Sequence, residues 1–338
     1  MNVLGNFFQE AKLVDWVQTK HFNNPEMTVC EMEYAAAVPK CLLYYAGQVA
    51  IDKEVIIIPI NQENAYYAQN LICSLEANGI TNIVFWSLDL VTHESFLERH
   101  VFSIYLTGFP PIMDSIKKNG PEKLTYSHYK PQIIMMLLEA GFNVWFLSPD
   151  SIAMADFRPD VVKDMAVDVF FSIRTSTPAK KQLLPIIPHT PDTIVPSGGV
   201  LYFRNSVRSV EFVQMYIDML HISNSIDDEQ ALRRVIGNTR RIHVLKHDQL
   251  APPASSQSSI VVKMLNPILF CNGHMLFDKV PLPDKFGMPD FVHLGRVSTP
   301  KMSLSEWGLW FMTDDNRCEW LDPTAKFEAK LELKARRI

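Results

Sequence analysis

This 338-residue chain has no stretch that approaches the ~18 consecutive apolar residues of a membrane-spanning helix. Its first residues, MNVLGNFFQEAKLVDW, carry no signal-peptide pattern, and no N-x-[ST] sequon occurs anywhere. Charge of one sign is also missing: a formal net charge of −5 gives no general pull toward nucleic acid or an anionic surface, so neither is expected as a partner. The five cysteines (Cys30, Cys41, Cys73, Cys271 and Cys318) are scattered, with no C-x-x-C pair. That spacing argues against a thiolate zinc site and for a reduced compartment. The simplest expectation is a cytoplasmic protein, or the soluble part of an anchored one.

Several common active-site signatures are absent too. There is no G-x-x-x-x-G-K-[ST] loop and no G-x-G-x-x-G after the first strand, so a bound nucleotide would not lie in either glycine cradle. There is no H-E-x-x-H and no G-x-S-x-G elbow. Most familiar α/β enzyme classes are thereby excluded.

What is present is ordinary globular material: 47% hydrophobic and 20% charged residues, enough for a sizeable core. Residues 1–50 show no clean alternation and read as a helical or irregular appendage. Strand and helix patterns alternate from Glu54, and residues 51–305 form a single domain in this reading. Val55–Ile60, Asn82–Trp86, Val101–Leu106, Asp168–Ile173 and Gly199–Phe203 read as strands. Ala65–Ala77, Ser127–Ala140, Val207–Leu220 and Asp228–Ile236 read as helices. This alternation predicts an α/β fold with a mixed, mostly parallel sheet covered on both faces. Thr175–Pro196 holds five prolines, too many for a helix or a central strand, and reads as a lid or loop. Residues 306–338 read as a C-terminal tail packing on or extending from the domain, charged and helix-prone after Lys326.

The most telling segment is Gly141–Asp156, GFNVWFLSPDSIAMAD. A short apolar run, Val144–Leu147, breaks into a turn carrying Asp150. In open α/β sheets ligands gather outside the carboxyl ends of strands, so this acid is placed for chemistry. The preceding helix tolerates Pro131 in its first turn and stops at Gly141.

Read together with three downstream segments, Asp150 makes the chain resemble the nucleotide-diphospho-sugar transferase family. These are GT-A-type glycosyltransferases, related to plant arabinosyl-, xylosyl- and galactosyltransferases. The resemblance runs from about Glu54 to Lys301. It implies a hexosyl- or pentosyltransferase with a nucleotide-diphosphate donor, UDP-linked, and a glycan or protein hydroxyl as acceptor. Retention at the anomeric carbon and a Mn²⁺ or Mg²⁺ cofactor are also implied. Asn61 and Asp89, at the ends of the first two strands, fall where the family meets base and ribose. Ser148-Pro149-Asp150 aligns with the family's D-x-D, with Ser148 replacing the first acid and Asp150 retained as the metal-binding one. Lys130 and Lys301 would offset the diphosphate. Gly198 and Gly199 lie where small residues let the backbone approach a sugar. Asp228 and Glu229 stand at the family's acid–Gln pair, and either could act beside the anomeric carbon. His293 matches the second protein ligand to the metal, alongside Asp150.

Two alternatives stand beside this expectation. Ser148 in place of an acid opens a catalytically degenerate GT-A relative that binds carbohydrate or protein. A metal-independent transferase relying on Lys130, Arg204 and Lys301 is the other.

Overall fold

The computed structural model describes residues 38–97, 102–105, 121–174, 195–222, 226–238, 240–251, 259–273, 276, 289–295, 304–306, 308–313 and 318. Lys301 and residues 175–194, most of the expected lid or loop, lie outside them.

In order come α1 (Val38–Val49), β1 (Glu54–Ile60), α2 (Ala65–Ala77), β2 (Ile83–Ser87), α3 (Leu90–Leu97) and β3 (Ser103–Tyr105). Then follow α4 (Pro121–Glu139), β4 (Asn143–Leu147), β5 (Ser151–Ala153), α5 (Arg158–Val162), β6 (Val169–Ile173) and β7 (Pro196–Phe203). The last elements are α6 (Val207–Ile222), α7 (Asp228–Ile236), β8 (Ile242–Leu245), β9 (Ile260–Met264), β10 (Phe270–Asn272) and β11 (Phe291–His293).

Eight strands make the main sheet in the order β3-β2-β1-β4-β7-β6-β9-β8. Only β7 among them runs against its neighbours, pairing antiparallel with β4 and β6. The expected mixed, mostly parallel architecture is therefore present. Unbroken apolar strands such as EVIIIPI make sense here, because both faces of the sheet are buried.

The twofold side-chain period splits each strand between two cores. Val55, Ile57, Val144, Phe146, Phe171, Leu201 and Phe203 face one cluster, where Leu42 and Tyr45 of α1, Ile133 and Leu137 of α4, and Phe212 and Tyr216 of α6 close over them. Ile56, Ile58, Trp145, Leu147, Phe170, Val200 and Tyr202 face the other, under Leu71 and Leu75 of α2 and Phe157. The helix ending the first fifty residues is thus part of the main core.

A second sheet, β10-β11-β5, hangs from the end of β4. Residues beyond 305 complete its packing: Leu309, Trp310, Phe311 and Met312 join Ile152, Val292 and Leu294 in a third cluster. The Asn70 side chain, from α2, donates to Leu309 O at 3.1 Å and accepts from Phe311 N at 2.7 Å, pairing with that segment like a strand edge.

Two expectations change. Pro131 lies well inside α4, which starts at Pro121, so this long helix absorbs one missing hydrogen bond because its apolar face is firmly packed. The cysteines are not uniformly unpaired. Cys73 of α2 and Cys318 form a disulfide with Cα atoms 5.3 Å apart, and Cys41 is disulfide-bonded as well. Cys271 is a buried free thiol. Spacing along the chain hid these bonds, since Cys73 and Cys318 meet only through the tertiary fold.

Candidate active site

Because β7 is antiparallel, its first residues lie beside the carboxyl ends of β4 and β6. Ser148 N donates to Gly199 O at 2.7 Å, and Ser172 of β6 is in register with Ser197. Three strand ends therefore converge where an open α/β sheet places its ligands.

The second sheet delivers the histidine. β11 pairs antiparallel with β5, placing His293 opposite Ser151, and Leu294 N donates to Asp150 O at 2.9 Å. The His293 Nε2 atom comes to 3.4 Å from Asp150 Oδ1. Ser197 Oγ lies 3.4 Å from the other ring nitrogen, and Ser148 Oγ donates to Asp150 Oδ1. Burial raises the Asp150 pKa, but the charge and hydrogen bond of His293 and the Ser148 hydroxyl outweigh it. The carboxyl is held below its ordinary value.

Gly198 and Gly199 leave room for this convergence. A Cβ on Gly199 would overlap the His293 imidazole. One on Gly198 would lie 2.8 Å from Asp228 Oδ2 and 2.9 Å from Lys130 Nζ. Consecutive strand residues face opposite sides, so one peptide separates the imidazole from the acid pair.

That acid pair opens α7. Asp227 caps the helix by accepting from Gln230 N at 2.8 Å, and Asp228 and Glu229 occupy the first turn, where the helix dipole favours negative charge. Asp228 Oδ2 is 3.0 Å from Lys130 Nζ, which also donates to Gly198 O at 2.6 Å and lies over the Phe146 ring. Glu229 accepts from Gly198 N at 3.4 Å and pairs with Arg174 at the end of β6.

Other expected residues have local employment. Asn61 and Asn64 exchange side chain-to-backbone hydrogen bonds in the turn after β1. Asp89 accepts from Thr92 N at 2.8 Å and from Gln62 N at 2.9 Å, which ties the α3 start to the turn after β1. Lys130 is 0% exposed, so its ammonium meets Asp228 from inside the core and not a ligand in solvent. Arg204 sits at the opposite end of β7, donating to Val162 O and Asp164 O at 2.9 and 3.1 Å, which removes it from any diphosphate site. Sequence reasoning missed Arg174. Only its position at a strand end, just before the proline-rich segment, could have marked it.

A carboxylate and an imidazole at 3.4 Å can share one cation, since adjacent ligands of an octahedral ion with ~2.1 Å bonds lie about 3 Å apart. Among the described residues no group of three or more His, Cys, Asp or Glu side chains could hold a metal. The protein would supply two ligands at this point and the bound molecule others.

An acid and a histidine thus meet at the carboxyl edge of a mostly parallel sheet, with glycines beside an acid pair, where α/β enzymes place their ligands. The sequence assigns the branch: residues 78–288 match the nucleotide-diphospho-sugar transferase family, so the chain belongs to that family of glycosyltransferases. No curated protein matches it in sequence. Among solved structures it is similar to the galactosyltransferase LgtC bound to donor and acceptor sugar analogues, at 11% identity and a TM-score of 0.44, covering 82% of this chain and 95% of that one. It is also similar to mouse xyloside xylosyltransferase 1, at 10% identity and a TM-score of 0.42, covering 72% and 98%. A glycosyltransferase of PBCV-1 major-capsid glycosylation shows 11% identity and a TM-score of 0.40, covering 74% and 98%. At such scores the family assignment rests on the sequence match.

Proposed function

We propose that this protein transfers a sugar from a UDP-linked donor to a hydroxyl on a glycan or protein, with Mn²⁺ or Mg²⁺ at Asp150 and His293. The observation that carries this reading is the meeting of those two side chains at 3.4 Å, although the β4–β5 turn and β11 that supply them lie far apart in the sequence. The cation would neutralise the diphosphate, the group on which negative charge develops as the glycosidic bond breaks. Asp150 brings a carboxylate held in its ionised form, and Ser197 orients the imidazole.

The acid pair divides its work in this reading. Asp228 is turned toward buried Lys130 and holds the helix start against β7. Glu229 faces the open side and accepts hydrogen bonds from donor-sugar hydroxyls. Each is engaged by a cation, so neither stands free as a general base. That favours retention, in which a carboxylate close to the sugar stabilises an oxocarbenium-like state. The Cys73–Cys318 disulfide favours an oxidising compartment over the cytoplasm.

Calorimetry with UDP, with and without Mn²⁺, tests the assignment. Wild type should show metal-linked UDP binding that Asp150→Ala and His293→Ala both lose. Full transferase turnover by Asp150→Ala at saturating Mn²⁺ would remove the metal from this site. The second reading, a degenerate relative that binds carbohydrate or protein, is favoured by Ser148, whose hydroxyl occupies an Asp150 oxygen. Wild-type protein that binds no UDP under either condition but does bind a glycan or protein would favour it.

A further inference from the structure

Glu229 is anchored more firmly than its place requires. An acid in the first turn of a helix is already favoured by the dipole, and Asp227 already caps α7. Yet Glu229 also takes the Gly198 amide on Oε1 and the Arg174 guanidinium on Oε2. An ion pair this exposed, with side chains 40% and 21% accessible, contributes no more than about 1 kcal/mol to stability. Stability is thus a weak reason for it.

The two acids of α7 differ in the direction from which they are held. Lys130 grips Asp228 from the core, whereas Arg174 grips Glu229 from the solvent side. Arg174 is itself well based: its backbone N–H donates to Val195 O at 2.8 Å, extending the β6–β7 ladder to this residue. The guanidinium therefore bridges the β6 end to the α7 start, across the first residues of β7. Each Glu229 oxygen has two lone pairs and spends one on these anchors, leaving one acceptor site per oxygen at a fixed angle.

We propose that Arg174 is a positioning residue that sets donor-sugar discrimination by fixing the Glu229 carboxylate against Gly198. The inference rests on the reading that the Asp150–His293 site takes a nucleotide sugar. A carboxylate held in one rotamer accepts from hydroxyls only at matching positions, so a sugar epimer misplaces a donor and leaves a desolvated polar group unpaired. Without Arg174 the side chain samples other rotamers and epimers are accepted more evenly. The nucleotide half of the donor should be indifferent to the change.

The test uses the full chain as wild type, Arg174→Ala, Arg174→Lys and Glu229→Gln. Hydrolysis of UDP-glucose, UDP-galactose and UDP-xylose is measured beside UDP calorimetry in Mn²⁺ and thermal melting. Arg174→Ala should lose about tenfold or more in kcat/KM on the preferred donor and compress the ratio between donors, while UDP affinity and melting temperature hold. Arg174→Lys should recover part of the loss, since it restores charge but not the fork. Glu229→Gln, nearly isosteric, should reproduce the compressed ratio should Arg174→Ala fold poorly. Unchanged donor ratios in a folded Arg174→Ala, or in Glu229→Gln where Arg174→Ala does not fold, overturn the proposal and leave the transferase reading standing. UDP affinity falling in step with turnover also overturns it. A wild type that neither binds UDP nor turns over any of the three donors overturns both.

Discussion

The His293 imidazole fills the space that a side chain at position 199 would need. Glycine there is a requirement of bringing two sheets together at this point, since β7 belongs to the main sheet and β11 to the small one. Gly199→Ala should push the ring off Asp150 and reduce kcat/KM at least ~10-fold. Transferase assays and Mn²⁺-linked UDP calorimetry check this, with the larger effect expected on the metal-linked part.

Lys130 is a buried cation whose carboxylate partner among the described residues is Asp228, so removing it leaves that largely buried acid without its ion pair. Lys130→Met should cost about 3–5 kcal/mol in urea unfolding. The double variant Lys130→Met/Asp228→Leu should recover much of that loss, which separates the missing charge from lost packing.

Ser148 offers the inverse experiment, because its hydroxyl already lies on Asp150. In the proposed metal site, Ser148→Asp would add a second anionic oxygen ligand and should tighten Mn²⁺-linked UDP binding on the order of tenfold. Without metal the two carboxylates repel, so the same variant should melt lower in EDTA.

His93 makes folding sensitive to mild acid. Its ring is buried, with Nδ1 3.2 Å from Ser103 Oγ, and burial lowers its pKa to about 4. The unfolded chain takes up that proton near pH ~6.5 and the native protein near 4. Stability is therefore whole above about pH 6.5 and falls by as much as ~3 kcal/mol between there and pH 4. His93→Gln should flatten the slope in that window, as seen in unfolding midpoints against pH. Asp150, whose pKa is lowered, acts with opposite charge at more acidic pH: its contribution is lost only as pH falls below the usual carboxylate range.

The disulfide joins α2 to the segment that packs against the small sheet. Cys73→Ser/Cys318→Ser should destabilise the protein by about 2–5 kcal/mol. The effect should fall on the third core cluster, where Trp310 packs on Tyr66 at 4.6 Å between ring centroids. Hydrogen exchange of residues 291–295 and 309–312 locates it. A reductant such as dithiothreitol should reproduce it in the wild type.

The main sheet was readable from the chain because continuous β-branched runs such as VIIIPI have few other places to go, and Gly141 and Gly79 punctuate the helices with the positive φ they adopt. Asp150 and His293 were readable as candidates through family resemblance, and they do meet. The short strands β5, β10 and β11 are three residues each, too short to carry a period, and so only pairing reveals them.

The sequence by itself determined the alternation, the strand-end position of Asp150 and the family. Those depend on local patterning and motif order, which a linear chain records. The tertiary structure alone decided which charges face which. It turned Lys130 inward to Asp228, sent Arg204 to the far end of β7, brought Arg174 onto Glu229 and joined Cys73 to Cys318. The antiparallel insertion of β7 and the docking of a second sheet set those partnerships. Neither leaves a period in the sequence, because both arise from contacts between distant segments.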